Sequence, residues 1–550
     1  MTRAICFAAV IALAFSLIEA DACCAQTLTG AVTSAEEGAM EGVLISAQKS
    51  GSPITVSVVS DEKGRFRFPD GRLAPGRYTL RIRAIGYDLA GPQAVDVGDA
   101  SADIAISLRR TSDLAAQLTN TEWLMSMPGT ADDKRPLIEC MSCHSFQRIV
   151  RSTYTADEFV PVLERMAQYA NNSIPARVQS RVARREVSDT SVRKLAAYLA
   201  TINLSRAHGR GDDAWNYELQ TLPRPKGRAT RVVVTEYALP RPTIAPHDVR
   251  TDVAGHVWYS NFVENDIGEL DPTTGANRDY PIPVLKPGSP TGSLDLEADA
   301  DGNLWLAMMF QAALARFDMK TKTFKIFPVD GDLNDDAMQL SMVMPRSAGV
   351  DGKVWTNDVA RQSIMRLDLA SGKYQRIDPF TLLPKGRLHA PYGMAADAKN
   401  NLYFMDFADQ NIGRVDAASG AATIYPTPTA KSRPRRCMLD RQGRLWFTEF
   451  AADKLAMFDI TAEKFKEWDV PTPYTFPYDV FSDKNGELWS GGMASDRVLR
   501  FDPKTGGSVE YLLPRPTNIR RVFVDTSTKP ATFWAGNNHG AEIVRLEPLD

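Results

Sequence analysis

"GHVWYSNFVENDIGELD", residues 255–271, holds two short alternating runs, with a glycine turn before the first and an aspartate closing the second. The outline returns as GNLW at 302–305, GKVW at 352–355, NNLY at 400–403, GRLW at 443–446, GELW at 486–489 and ATFW at 531–534, spaced about 43 to 50 residues apart. A second strand follows each, ending at Asp271, Asp318, Asp368, Asp416, Asp459, Asp502 and Glu547. A unit of this length with four short strands cannot bury its faces alone, whereas a closed ring of such units can. Seven repeats therefore predict a seven-bladed β-propeller over residues 229–550. The strand RVVVTEYALP at 231–240 precedes the first complete blade and is expected to pair with the last.

At 550 residues the chain exceeds one domain, and the upstream part changes period twice. Over 27–110 the residues alternate as half-buried strands do. In RYTLRIRAIGY at 77–87, Tyr78, Leu80, Ile82 and Ala84 share a face, and the turn signals Asp61 to Gly64 and APG at 74–76 separate the runs. A small antiparallel β-sandwich is predicted. Over 117–204 the spacing becomes helical: Thr155 and Glu158 form a capping box before Phe159, Leu163, Met166 and Ala170, and a second helix near 188–202 aligns Val192, Leu195, Leu199 and Ile202. Residues 205–228 lack periodicity and read as a linker. The fold class is thus multidomain and mainly β: a β-sandwich, a small α-helical domain and a seven-bladed propeller.

Residues 1–25 carry Arg3, an apolar run and CCA before Gln26, which reads as a signal peptide cleaved after Ala25 and predicts a periplasmic or secreted protein. No later run approaches the ~20 apolar residues of a membrane span. With 64 basic and 67 acidic residues the chain has no charge excess suited to nucleic acid. Three of six cysteines, Cys6, Cys23 and Cys24, fall in the leader, and Cys140, Cys143 and Cys437 are too few for a disulfide framework.

Cys140 and Cys143 belong to CMSCH at 140–144, in the helical region. Two thiols two residues apart can reach the two vinyl groups of one haem, and His144 directly after can ligate its iron as proximal ligand. Zinc would need two further ligands in this domain, and a redox pair would need a thioredoxin-like setting. The expectation is one covalently attached haem c. This region resembles the small class I-type cytochrome c family, with SVRKLAAYLATIN at 191–203 as closing helix, and the resemblance implies a methionine as distal ligand. Met166 lies in the required interval, although it also falls on the apolar stripe of its helix; Met125, Met127, Met141 and an open sixth position are the other options. Arg177, Arg181, Arg184, Arg185, Arg193 and Lys194 form a basic run suited to a solvated face or to steering an acidic redox partner protein.

Two further resemblances bear on fold. The order GAV, EGVLISAQ, DEKGRFRF, LAPGRYTLRI resembles the carboxypeptidase regulatory-like family, which implies a transthyretin-like sandwich without catalysis. The blade text PHDVRTDVAGHVWYSNFVENDIGELDPTTG and RLWFTEFAADKLAMFD resembles the virginiamycin B (streptogramin) lyase family. That resemblance implies a divalent metal and a histidine base that open a cyclic ester by elimination. The family's Glu-Pro-His stretch is represented only by Pro246-His247, preceded by Ala245, and its second glutamate by Glu449 in a different blade.

Counting eleven residues back from each signature aromatic enters the innermost strand. The count gives His247, Leu294, Tyr392, Arg435 and Tyr478, with Arg346 one blade's shorter equivalent and Arg520 or Arg521 in the irregular last blade. His247, Arg346, Tyr392, Arg435, Tyr478 and Glu449 are the candidate channel residues, suited to a small polar or anionic substrate. The favoured reading is an exported oxidoreductase-type haem protein whose propeller binds or oxidises a substrate and passes electrons to the haem. The alternatives are a lyase-like C–O lyase and a non-catalytic binding propeller.

Overall fold

In each blade the repeated aspartates build the hairpins. Asp252 accepts from the backbone N–H of Ala254 and of His256 and from the indole of Trp258 at 2.9 Å. Asp299, Asp440 and Asp483 take the same role for Trp305, Trp446 and Trp489. The glycine of the signature supplies the positive φ of the turn, as Gly255 does at +87°. The second aspartate caps the next hairpin: Asp271 receives the N–H of Thr273, and Asp318 those of Lys320 and Thr321.

The computed structural model describes residues 27–98, 101–206, 214–381 and 383–550. The predicted leader lies outside them. Six four-stranded antiparallel sheets form blades 1 to 6, from Pro246–Pro281 to Pro477–Leu512. Blade 7 combines Ile519–Asp525, Thr532–Asn537 and Glu542–Pro548 with Val232–Ala238 as its outer strand. The ring thus closes with one strand from before blade 1, as the sequence predicts. Val232–Ala238 also pairs on its other edge with Ile54–Val59 of the sandwich, so blade 7 and one sandwich layer are a single eight-stranded sheet. This pairing covers an edge that would otherwise offer unpaired backbone groups.

The sandwich spans Leu28–Arg110 and encloses its own core, including Val32, Ile45, Phe66, Phe68, Tyr78, Leu80 and Ile106. Its second layer is mixed, because Leu28–Ser34 runs parallel to Ala102–Arg110. The wholly antiparallel expectation is corrected here: the two strands are distant in sequence, and no hairpin dictates their direction.

Helices Asn120–Ser126, Ala131–Lys134, Leu137–Cys140, Gln147–Val150, Ala156–Ala167 and Asp189–Ile202 form the helical unit. Thr119, Thr130 and Thr155 start three of them with complete capping boxes. The unit lies on one mouth of the propeller and shares a core with it, in which Trp123, Leu137, Met141 and Phe146 join Phe262, Met309, Phe450 and Tyr478. Thr121 N–H donates to Ala494 carbonyl at 3.1 Å, and the Asn172 amide to Thr291 carbonyl at 2.6 Å. The described part of 205–228 lies along its neighbours, with Leu222 N–H on Glu122 and Arg224 ion-paired to Glu37 of the sandwich. No helix among the described residues is long and apolar enough to cross a membrane.

Aromatic side chains of second strands lie over glycines of third strands. A Cβ on Gly413 would stand 2.1 Å from the Phe404 ring, and one on Gly268 1.9 Å from that of Tyr259. Gly413→Ala should therefore destabilise the protein by about 1–3 kcal/mol, as overpacking does. Denaturant unfolding checks this, against an expected change near zero for exposed Gly331→Ala, where an added Cβ meets nothing within 4 Å.

Candidate functional site at the channel mouth

The innermost strands of blades 1, 4, 5, 6 and 7 each contain a register shift, between Pro246 and Val249, Pro391 and Met394, Pro434 and Cys437, Pro477 and Val480, and Ile519 and Val522. Strict alternation would send one of two successive residues into the blade. The bulge lets both reach the axis. The channel is consequently lined by two layers.

The upper layer brings together His247, Tyr392, Arg435, Tyr478 and Arg520, as the count from the aromatics predicts. His247 is fully buried, with Nδ1–H on the Asp248 carboxylate at 2.5 Å and Nε2 3.2 Å from Tyr478 Oη. Tyr392 and Tyr478 share a hydroxyl hydrogen bond of 2.7 Å. Burial, then the charges of Arg520, Arg436 and Arg435, hold His247 far below the usual histidine range, so the ring is neutral. Burial opposes ionisation of Tyr478, yet Arg435, Arg520 and Arg436 together draw its phenol below the usual range. The line Tyr392, Tyr478, His247, Asp248 can pass a proton along its length.

Of the lower layer the sequence count names Arg521 alone. Arg436 contacts Asp248 at 3.1 Å and Asp295 at 2.8 Å, and Arg521 contacts Asp295 at 2.9 Å and Asp479 at 3.0 Å. These five groups close the channel with a salt-bridge network. The available signal was the dipeptides His247-Asp248, Arg435-Arg436, Tyr478-Asp479 and Arg520-Arg521, polar at two successive positions of strands that should alternate.

Two predicted channel residues lie elsewhere. Arg346 is exposed, beyond the short strand Val343–Met344. A one-turn helix at Ala348–Asp351 lengthens its hairpin, so that Met344 pairs with Trp355, eleven positions on, where Arg250 pairs with Trp258, eight on. The shorter count therefore overshot the strand. Glu449 ends the second strand of blade 5, fully buried. Burial, then the charge of Glu467, raises its carboxyl to about 7. With an ordinary value of 4.5, this group contributes stability that is complete below pH ~4.5 and is lost as pH rises through ~7. Glu449→Gln should remove that part of the decline, measured as unfolding free energy at pH 5 and pH 8.

The divalent-metal expectation does not fit these residues. Pro434 pairs with Glu449 in register, so the side chains flanking that proline are Arg433 and Arg435. The lyase resemblance implies a carboxylate and an imidazole beside such a proline. Two guanidinium groups there repel a divalent cation instead. Among the described residues, the groups of three ligand side chains close enough to share a cation are Asp252, His256, Glu269 and His389, Asp406, Asp409. None of the predicted channel residues belongs to either.

Above the mouth lies CMSCH. It ends the one-turn helix Leu137–Cys140 and continues as a turn. Asn518 Nδ2 donates to Met141 carbonyl at 3.4 Å, and Ser142 carbonyl accepts from Arg520 Nη2 at 2.7 Å and from His539 Nε2 at 3.2 Å. Arg433 ion-pairs with Glu139 at 3.1 Å. Cys140 and Cys143 are free thiols, partly buried; burial pushes Cys140 to about 12 and Cys143 upward, so both are neutral. His144 Nδ1–H donates to Ser145 carbonyl at 2.9 Å, which leaves Nε2 with the lone pair, and burial lowers the ring's affinity for a proton. Two neutral thiols on one turn and a neutral imidazole with a fixed tautomer are the donor set that covalent haem attachment and axial ligation require. Met166, read as a stripe residue, is 39% exposed near the end of its helix, while Phe159 holds the core.

Fold and site together define a lyase-type seven-bladed propeller joined to a regulatory-like sandwich and a helical unit. The virginiamycin B lyase family profile matches residues 233–463 and 385–549, more than half of the chain, and the chain belongs to that family. The carboxypeptidase regulatory-like domain profile matches residues 27–109. Neither profile covers residues 110–232, which hold CMSCH. Among solved structures, a streptogramin B lyase is 22% identical with a TM-score of 0.51, over 59% of this chain and 100% of its own. Virginiamycin B lyase from Staphylococcus aureus is 21% identical with a TM-score of 0.49, over 57% of this chain and 99% of its own. No curated protein matches the chain.

Proposed function

We propose that the chain is an exported c-type haem protein in electron transfer, in which Cys140 and Cys143 carry the haem and His144 is the proximal ligand. The observation that carries this reading is the His144 ring: its Nδ1–H is held by Ser145 carbonyl, and its Nε2 is free, one residue after the second of two free thiols. Bound haem would supply one-electron carriage. The chain's own residues divide the rest. Arg520 fixes the turn over the channel mouth through Ser142 carbonyl. Tyr478, His247 and Asp248 would accept and relay the proton that a small polar or anionic donor releases on oxidation. Arg184, Arg185, Arg193 and Lys194, all exposed, would steer an acidic redox partner.

Met166 offers a half-exposed thioether as distal ligand. Met166→Ala should then change the reduced spectrum and lower the midpoint potential, since thioether ligation favours the reduced state. An unchanged spectrum removes it as ligand. For the whole reading, the test is stopped-flow reduction of the oxidised protein by a panel of small hydroxy acids and phenols. Saturable reduction that falls at least tenfold in Tyr478→Phe supports it; reduction no faster than that of an isolated cytochrome c counts against a propeller role.

Family membership favours a second reading, elimination at a cyclic ester. The two arginines flanking Pro434 weigh against its metal-dependent form. Ester opening that a chelator abolishes would restore it.

A further inference from the structure

Arg435 differs from every other channel arginine. It is 8% exposed, its Nε is buried without a hydrogen-bond partner, and no carboxylate of the described residues lies within ion-pair distance of it. Arg436 and Arg521 each contact two or more aspartates, Arg433 pairs with Glu139, and Arg520 binds Ser142 carbonyl and the Asn518 side chain. Arg435 instead stands among aromatic rings, its guanidinium carbon 3.8 Å from the centroid of Tyr478, 4.1 Å from Phe407, 4.3 Å from Phe450 and 5.5 Å from Tyr392. Cation–π contact offsets part of the desolvation of a guanidinium but satisfies none of its planar fork of N–H donors. A buried charge left in this state calls for an anion, and the fork matches a carboxylate.

The direction from which that carboxylate arrives is also given. On the sequence side, Arg433 reaches Glu139, the residue before Cys140. Across the Tyr478 ring, Arg520 reaches Ser142 within the motif. Arg435 follows the first anchor by two residues and shares the Tyr478 ring with the second. We infer that Arg435 is a carboxylate site at the channel mouth and that its occupant is a propionate of the haem carried by Cys140 and Cys143. This rests on the haem reading above. A propeller residue would thereby bind and tune a cofactor attached to another domain.

The test uses the full-length haem-loaded protein, with Arg435→Gln and Arg435→Lys. A guanidinium beside the haem disfavours the more positive oxidised form, so its loss should lower the midpoint potential. The expected change is about tenfold in the reduction equilibrium, or 59 mV for one electron. Arg435→Lys should recover most of it, and far-UV circular dichroism confirms that each variant folds. The other source of the same chemistry is a free carboxylate ligand. Calorimetric titration with acetate and with succinate separates the two: saturable binding lost in Arg435→Gln, with an unchanged potential, would overturn the haem assignment of the site. A haem-loaded variant with unchanged potential and no carboxylate binding overturns the inference alone. A wild-type protein without haem overturns the haem reading and, with it, this assignment.

Discussion

Serine in place of both Cys140 and Cys143 should abolish covalent haem almost completely while leaving the propeller and sandwich folded. The two thiols make no disulfide, and Cys143 Sγ has Ser142 Oγ at 3.7 Å as its hydrogen-bonding neighbour among the described residues. Serine is nearly isosteric with cysteine and removes no buried bond, so little stability depends on the exchange. What is lost is the pair of sulfurs that can form thioethers. Haem staining after denaturing electrophoresis measures the outcome. Retained stain in the double variant would show attachment elsewhere. Each single variant should keep a fraction, because one thioether can still hold the group while the other vinyl stays free.

The largest effect on stability should come from Arg436→Ala. Arg436 is 2% exposed and bridges Asp248 and Asp295, which lie on blades 1 and 2 while Arg436 belongs to blade 5. Removing it leaves the three buried aspartates Asp248, Asp295 and Asp479 with Arg521 as the one remaining cation of that network. Breaking a buried pair in this manner costs about 3–5 kcal/mol, most of it the penalty of the charge left behind. Because Asp248 also holds His247 Nδ1, the proton line through Tyr478 should be misaligned as well. Combining Arg436→Met with Asp248→Asn and Asp295→Asn should recover much of the loss, since no uncompensated charge remains among those three sites. Urea unfolding of the single and triple variants distinguishes this from a plain packing defect, in which the triple variant would be the less stable.

Blade number was legible in the sequence because one physical device, an aspartate that caps a hairpin and accepts the next tryptophan's indole, recurs at each of several blades. Closure by Val232–Ala238 was legible for a related reason, an apolar strand left over before the first blade. Its second partnership, with Ile54–Val59, was not, since pairing between distant strands leaves no local mark. Within the site, the position of His247, Tyr392, Arg435 and Tyr478 followed from a fixed count, and the shorter count that gave Arg346 failed because three inserted residues lengthen that hairpin with a helical turn. The lower salt-bridge layer escaped because alternation is the default for a strand, and only the bulge turns both Arg435 and Arg436 to the axis. The motif's two thiols and imidazole were readable from spacing. Its contact with the propeller was not: Arg520 and His539 lie some 380 to 400 residues further along the chain from Ser142.

The haem proposed on CMSCH would sit over the mouth of the propeller. Intact mass spectrometry of the denatured protein, exported from a host that matures c-type haem proteins, addresses it most directly. A single species heavier than the processed chain by one haem, surviving acid and organic solvent, is the expected result. A mass equal to that of the unmodified chain, from a host shown to load a control cytochrome c, would contradict it.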